Sequence, residues 1–175
     1  MNSEILDGAL VNYDALAERM SALLNRQFYT YYLLHTLQAR ATASGYLGFA
    51  KFFDIEIETR SFLIRIIKRE ILEQDKEMKF NQIDAIPNRG SKLIDLINIY
   101  EDCINKNKQC LCDLISFASQ DPAMKIAISG IVDTCDERNQ IKVVSKIKKM
   151  LSKAVNNYVA ILMIDKLLKE EYSQF

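Results

Sequence analysis

The sequence predicts an all-α fold: a four-helix bundle with one long crossover loop and a short fifth helix at the C-terminus. Three observations carry that expectation. Apolar residues recur at steps of three and four over long stretches, the period of an amphipathic helix. Five glycines and two prolines among 175 residues leave too little turn chemistry for a many-stranded sandwich or barrel. The pattern is broken by short turns and by one long connection. Helices joined by short turns lie antiparallel, and a long connection lets the chain return to the other end, so the expected order is up, down, crossover, up, down.

The chain reads as a single domain over residues 1–175, with residues 1–13 as an N-terminal extension. The first helix is expected over about 14–43, with Leu16, Met20, Leu23, Gln27, Tyr31, Leu34 and Gln38 on one stripe. Its length would be about 45 Å at 1.5 Å per residue. Ser44-Gly45-Tyr46-Leu47-Gly48 is a tight break. The second helix, about 49–75, carries Phe49, Phe53, Glu56, Arg60, Leu63 and Ile67 on its stripe. The segment from Lys76 to Gly90, with Pro87, is the crossing loop, and a loop of that length in a compact domain calls for a structural reason. Ser91 is a plausible N-cap for a third helix to 118, whose stripe is Leu93, Leu96, Tyr100, Ile104, Asn107, Leu111 and Leu114. Ser119-Gln120-Asp121-Pro122 turns into a fourth helix, about 122–153, with proline at its start. A fifth helix over about 156–172 closes the chain.

Composition narrows the function. Twenty-three basic residues balance 23 acidic ones, which argues against a polyanion partner, nucleic acid included, since phosphate contacts need a basic excess. The lysine run Lys142, Lys146, Lys148, Lys149, Lys153 reads as a solvated face that complements a helix C-terminus. Residues 1–7 have neither the cationic start nor the apolar stretch of a secretory signal, and no segment approaches the ~20 apolar residues of a membrane span. The expectation is a cytoplasmic protein with reduced, structural Cys103, Cys110, Cys112 and Cys135. His35 is the one histidine, so no site needing two imidazoles from one chain can form.

Four segments resemble the ferritin family. Leu24-Asn25-Arg26-Gln27 before a tyrosine-rich helix resembles the start of the ferritin A helix, and Phe49-Ala50-Lys51-Phe52-Phe53 the opening of the B helix. Ser119-Gln120-Asp121-Pro122 resembles the C–D turn, and Ile164-Asp165-Lys166-x-Leu168 the short terminal helix that bacterial ferritins place at a fourfold axis. The segments run in order from Leu24 to Leu168 at nearly the family's spacing. The resemblance implies a homo-oligomeric shell of 24 subunits that oxidises Fe(II) at a di-iron centre inside each bundle and stores ferric iron.

The same resemblance implies that the centre is degenerate. Its usual ligands are a Glu on helix A, Glu-x-x-His on helix B, a Glu on helix C and a Gln or Glu on helix D, oxygen and nitrogen donors suited to iron. Aligned by the motifs, these positions hold Tyr31, Arg60, Leu63, Ile104 and Asp136. Glu-x-x-His occurs nowhere in the chain. A buried guanidinium needs a partner, so an Arg60–Asp136 ion pair, with Glu56 one turn away, is expected to fill the place of the metals. Tyr31 is either a core tyrosine or a redox one. Glu58, Asp133, Asp136 and Glu137 are weak candidates for iron nucleation, against the plain reading of a solvated acidic face. The segment matching the family's threefold pore, Lys125-Ile126-Ala127-Ile128-Ser129, carries no acid. Three functions remain open: an iron-storage shell without a working ferroxidase centre, a structural or stress-protection shell that no longer handles iron, and an oxidase built on Tyr31, His35 and Asp136.

Overall fold

The computed structural model describes residues 3–86, 92–135, 137–155 and 157–172, with side chains from Asn12 onward except that of Glu137. Among the described residues seven helices follow in order: α1 (Ser3–Ala43), α2 (Leu47–Glu73), α3 (Leu93–Ala118), α4 (Pro122–Ala127), α5 (Ser129–Thr134), α6 (Glu137–Lys153) and α7 (Tyr158–Tyr172). There is no strand among the described residues, and none of their helices is long and apolar enough to cross a membrane. α1, α2, α3 and the α4–α6 series form the four sides of the bundle, and α7 packs back on α2.

Local chemistry sets the helix ends. α1 stops in a Schellman turn: Tyr46 N donates to Ala41 O at 2.9 Å and Gly45 N to Thr42 O at 3.0 Å, with Gly45 at φ +80°. α2 ends the same way, Lys76 N to Ile71 O at 3.4 Å and Asp75 N to Leu72 O at 2.9 Å. Here the left-handed position is taken by Asp75 at φ +57°, a conformation an aspartate tolerates better than most residues. Ser91, the expected cap of the third helix, lies outside the described residues. At that end the Asp95 carboxylate accepts from Lys92 N at 3.3 Å.

Three expectations are corrected. The helix expected to begin near residue 14 runs from Ser3, so most of the extension continues α1. The helix expected unbroken over 122–153 is three helices, with breaks at Ile128 and Cys135. Its middle, Ser129-Gly130-Ile131-Val132-Asp133-Thr134, is made of poor helix formers. The Ser129 hydroxyl donates to Ile126 O at 2.8 Å and that of Thr134 to Gly130 O at 2.7 Å, drawing carbonyls away from a regular ladder. α5 packs on α2 at Gly130, where a Cβ would lie 2.8 Å from the end of the Glu70 side chain.

The third helix runs in the direction opposite to the one expected. Arg19 of α1 stacks on Phe117 of α3, and Arg26 meets Cys103, so α3 runs against α1. It therefore runs parallel to α2, and the order is up, down, down, up. The long connection makes this possible by returning the chain to the end where α2 began. Its path lies along α1. Lys76 pairs with Asp14 at 2.7 Å, Lys79 with Glu18 at 2.5 Å, and Phe80 packs against Phe28. Asn25 holds it from both sides, donating to Lys79 O at 2.8 Å and accepting from Asn81 N at 3.1 Å. The asparagine of the Leu24-Asn25-Arg26-Gln27 motif is thus the clasp of the crossover.

The core is two apolar clusters. One joins Leu33, Leu37, Phe49, Phe53, Ile97 and Ile104 to Val144, Ile147, Leu151 and Ile164. The other joins Leu16, Leu23, Leu63, Ile67, Leu111 and Leu114 to Met124 and Ile131. Between them in chain position, on three helices at once, lie the buried polar residues Gln27, Thr30, Arg60 and Asn107. This polar layer at mid-bundle is where a site can be built.

Candidate functional site

Arg60 is the centre of the layer and is 1% exposed. Its Nη1 donates to Gln27 Oε1 of α1 at 2.9 Å, and its Nη2 donates to Gln140 Oε1 of α6. Gln140 Nε2 donates in turn to Glu56 Oε2 at 3.1 Å, and the same carboxylate oxygen accepts from Tyr100 OH of α3. All four sides of the bundle therefore supply one side chain or more. The helix stripes bring them there: Gln27, Arg60 and Tyr100 occupy inward positions on otherwise apolar faces, and Gln140 precedes Val144, Ile147 and Leu151 at helical steps.

The electrostatics are those of a guanidinium held by two amide oxygens, with the Glu56 carboxylate joined to it through Gln140. Burial, and then the negative charge of Glu56, pushes the Tyr100 phenol well above its ordinary value, with Arg60 pulling against them. Tyr100 is thus a neutral donor. Burial, followed by the charges of Glu171 and Glu56, lifts Tyr172 to about 12. A cation has a poor reception here. Two unit charges 4 Å apart interact by about 4 kcal/mol at an effective dielectric of 20, and a divalent ion doubles the repulsion from Arg60.

A second polar cluster adjoins the first. Asn107 Nδ2 donates to Thr30 Oγ1 at 2.8 Å, Thr30 Oγ1 lies 3.2 Å from Cys103 Sγ, and Arg26 Nη2 reaches the same sulfur at 3.7 Å. Burial raises the Cys110 thiol, which makes it a poorer nucleophile, and Cys112 is exposed.

The residues at the motif-aligned ligand positions divide. Arg60 is in the polar layer. Leu63 and Ile104 are buried in the two apolar clusters and hold no metal. Tyr31 is partly buried, packs against both clusters and meets the rings of His35 and Tyr32 edge-on at 4.6 and 5.7 Å. Asp136 lies outside the described residues, and with it the expected Arg60–Asp136 pair and the oxidase site that needed it. Of the nucleation candidates, Glu58 and Asp133 are exposed, and the side chain of Glu137 lies outside the described residues. Among the described residues no group of three or more His, Cys, Asp or Glu could hold a metal ion.

Sequence reasoning placed Arg60 and Glu56 here and missed Gln140 and the roles of Gln27, Tyr100 and Thr30. The signal was present as polar residues on core stripes. For Gln140 the break at Cys135 obscures it, because the stripe of α6 starts afresh after that break.

The fold has counterparts among solved structures. An open-pore ferritin from the hyperthermophilic archaeon Archaeoglobus fulgidus superposes with a TM-score of 0.79 at 14% identity, over 88% of this chain and 95% of its own. A closed form of the A. fulgidus ferritin, engineered by site-directed mutagenesis, gives a TM-score of 0.79 at 14% identity, over 88% of this chain and 94% of its own. No family model and no curated protein matches the sequence. At this identity the likeness shows the fold: the chain has the ferritin fold.

Proposed function

We propose that this chain is a subunit of a cytoplasmic, ferritin-type shell of about 24 copies that takes up and holds ferric iron without an intra-bundle di-iron centre of the usual kind. One observation carries the loss of chemistry. The middle of the bundle is occupied by a buried guanidinium with Gln27, Gln140, Glu56 and Tyr100 around it, a set with one carboxylate and no imidazole. Such a set repels Fe(II) instead of ligating it. Oxidation is left to dioxygen outside the bundle, and the protein's part is to confine the ferric product. Glu58, Asp133, Asp136 and Glu137 are the acids assigned to nucleation.

Assembly is supported by α7. Tyr158, Val159, Met163 and Leu167 are each more than half exposed, an apolar face that suits a subunit axis.

A second reading has its own support. The segment Lys125-Ile126-Ala127-Ile128-Ser129 carries no acid to steer Fe(II) inward, which fits a shell that does not handle iron. Aerobic loading of the purified assembly with Fe(II) separates the two. Ferric absorbance should rise no faster than in a protein-free control, and the iron should then co-migrate with a particle of about 24 subunits. A rate above the control would refute the absence of a working centre. Iron left entirely outside the particle would establish the second reading.

A further inference from the structure

α6 carries a cationic stripe that its own helix does not explain. Arg138, Lys142, Lys146, Lys149 and Lys153 are all exposed. They follow one another at steps of four, four, three and four, on the face opposite Gln140, Val144, Ile147 and Leu151. The stripe runs about 22 Å, with neighbouring cations about 4.5 or 6 Å apart along the axis. Residues 138–153 contain no acid at all. Lys148 is the exception that locates the others: it flanks α3 and pairs with Glu101, whereas none of the five has an ion-pair partner among the described residues.

Two ordinary explanations fall short. The helix dipole favours cations only in the last turn, so it covers Lys149 and Lys153, while Arg138 sits in the first turn at the positive end. Mixed surface charge would place acids at the same spacing, but each neighbour along the stripe is another cation, an unfavourable arrangement on a helix. Whole-chain neutrality argues against a polyanion partner only where the charges are interspersed. Here they are segregated, and the acids that balance the count lie elsewhere.

We infer that this stripe is a binding site for a linear phosphate polyanion, specifically inorganic polyphosphate. Four of the five cations are lysines, point charges suited to phosphate oxygens whatever their orientation. α6 contains no aromatic residue, so it offers no platform on which nucleic-acid bases could stack, and recognition is confined to charge at regular spacing. The inference is independent of the iron reading, and its test uses iron-free protein.

The test is calorimetric titration of the assembled full-length protein with a short-chain inorganic polyphosphate long enough to span the stripe, repeated across a salt series. Binding should weaken with salt at a log–log slope on the order of 3 to 4 for five contacts. The combined variant Lys142→Gln, Lys146→Gln, Lys149→Gln should weaken binding by about tenfold or more and lower that slope by about 2. All three positions are exposed, and circular dichroism will register whether the fold is retained. A matched variant, Lys106→Gln, Lys108→Gln, Lys125→Gln, removes the same charge from exposed sites elsewhere and should stay within about twofold of the parent. Equal losses in the two variants, no measurable binding by the parent, or tighter binding of duplex DNA at equal phosphate concentration would each overturn the assignment.

Discussion

Arg60 is the residue on which both stability and chemistry turn. Its guanidinium is buried, and its fork satisfies two amide oxygens on different helices. Removing it leaves buried Gln27 and half-buried Gln140 and Glu56 without the charge that joined them. Arg60→Leu should therefore cost about 3 to 5 kcal/mol in chemical denaturation, the range for breaking a buried charged partnership from one side. Arg60→Lys should recover only part, because a single ammonium cannot reproduce the planar fork. Tyr172 supplies a pH prediction. Its folded value of about 12 lies above the ordinary 10.0, so the neutral phenol favours the fold. That contribution is fully present below pH 10, shrinks as pH rises through the window to 12, and is absent from Tyr172→Phe. An alkaline unfolding series should show a shallower loss for the variant over that window. At this scale the sequence was legible where a charge interrupted an apolar stripe, as at Arg60. It was illegible where neutral amides on other helices answered that charge.

At the scale of elements, the junction of α2 and α7 shows how a motif residue can act far from where it is read. Asp165, part of the terminal-helix motif, accepts a hydrogen bond from Phe49 N at 2.9 Å in the first turn of α2. It caps a helix that has no side-chain cap of its own. The close approach depends on Gly48, where a Cβ would fall 1.8 Å from Asp165 O. Asp165→Ala should cost about 1 kcal/mol by loss of the cap. Gly48→Ala should cost more, about 1 to 3 kcal/mol, because the obstacle is backbone and α7 must shift bodily. Hydrogen exchange should show α7 losing protection in the second variant. The broken fourth helix makes the complementary point. Proline at its start and the scarcity of breakers favoured one long helix, yet a run of β-branched and hydroxyl residues around Gly130 was enough to divide it.

For the whole molecule, the two apolar clusters and the polar layer between them define a bundle whose ends are packed and whose middle is specialised. Val159 and Met163 are 66% and 64% exposed, so charging both (Val159→Lys, Met163→Lys) should leave the subunit fold intact by circular dichroism. In a shell that buries α7 at an axis, the same change should lower the sedimentation coefficient sharply, because two cations per subunit would have to be desolvated at each axis. An unchanged particle would remove α7 from the interface.

The sequence by itself determined the all-α class, the number of bundle sides, the turns that join those sides and the arginine at the centre. These follow from periodicity and punctuation, which act over a few residues and are written in order along the chain. Only the tertiary structure decided that α3 runs parallel to α2, that Asn25 clasps the crossover, that Asp165 caps α2, and that Gln27, Gln140 and Tyr100 join Glu56 around Arg60. Each of these joins residues on different elements. Their partners are chosen by which polar groups must be satisfied once packing has removed water, a condition that exists only after the helices have met.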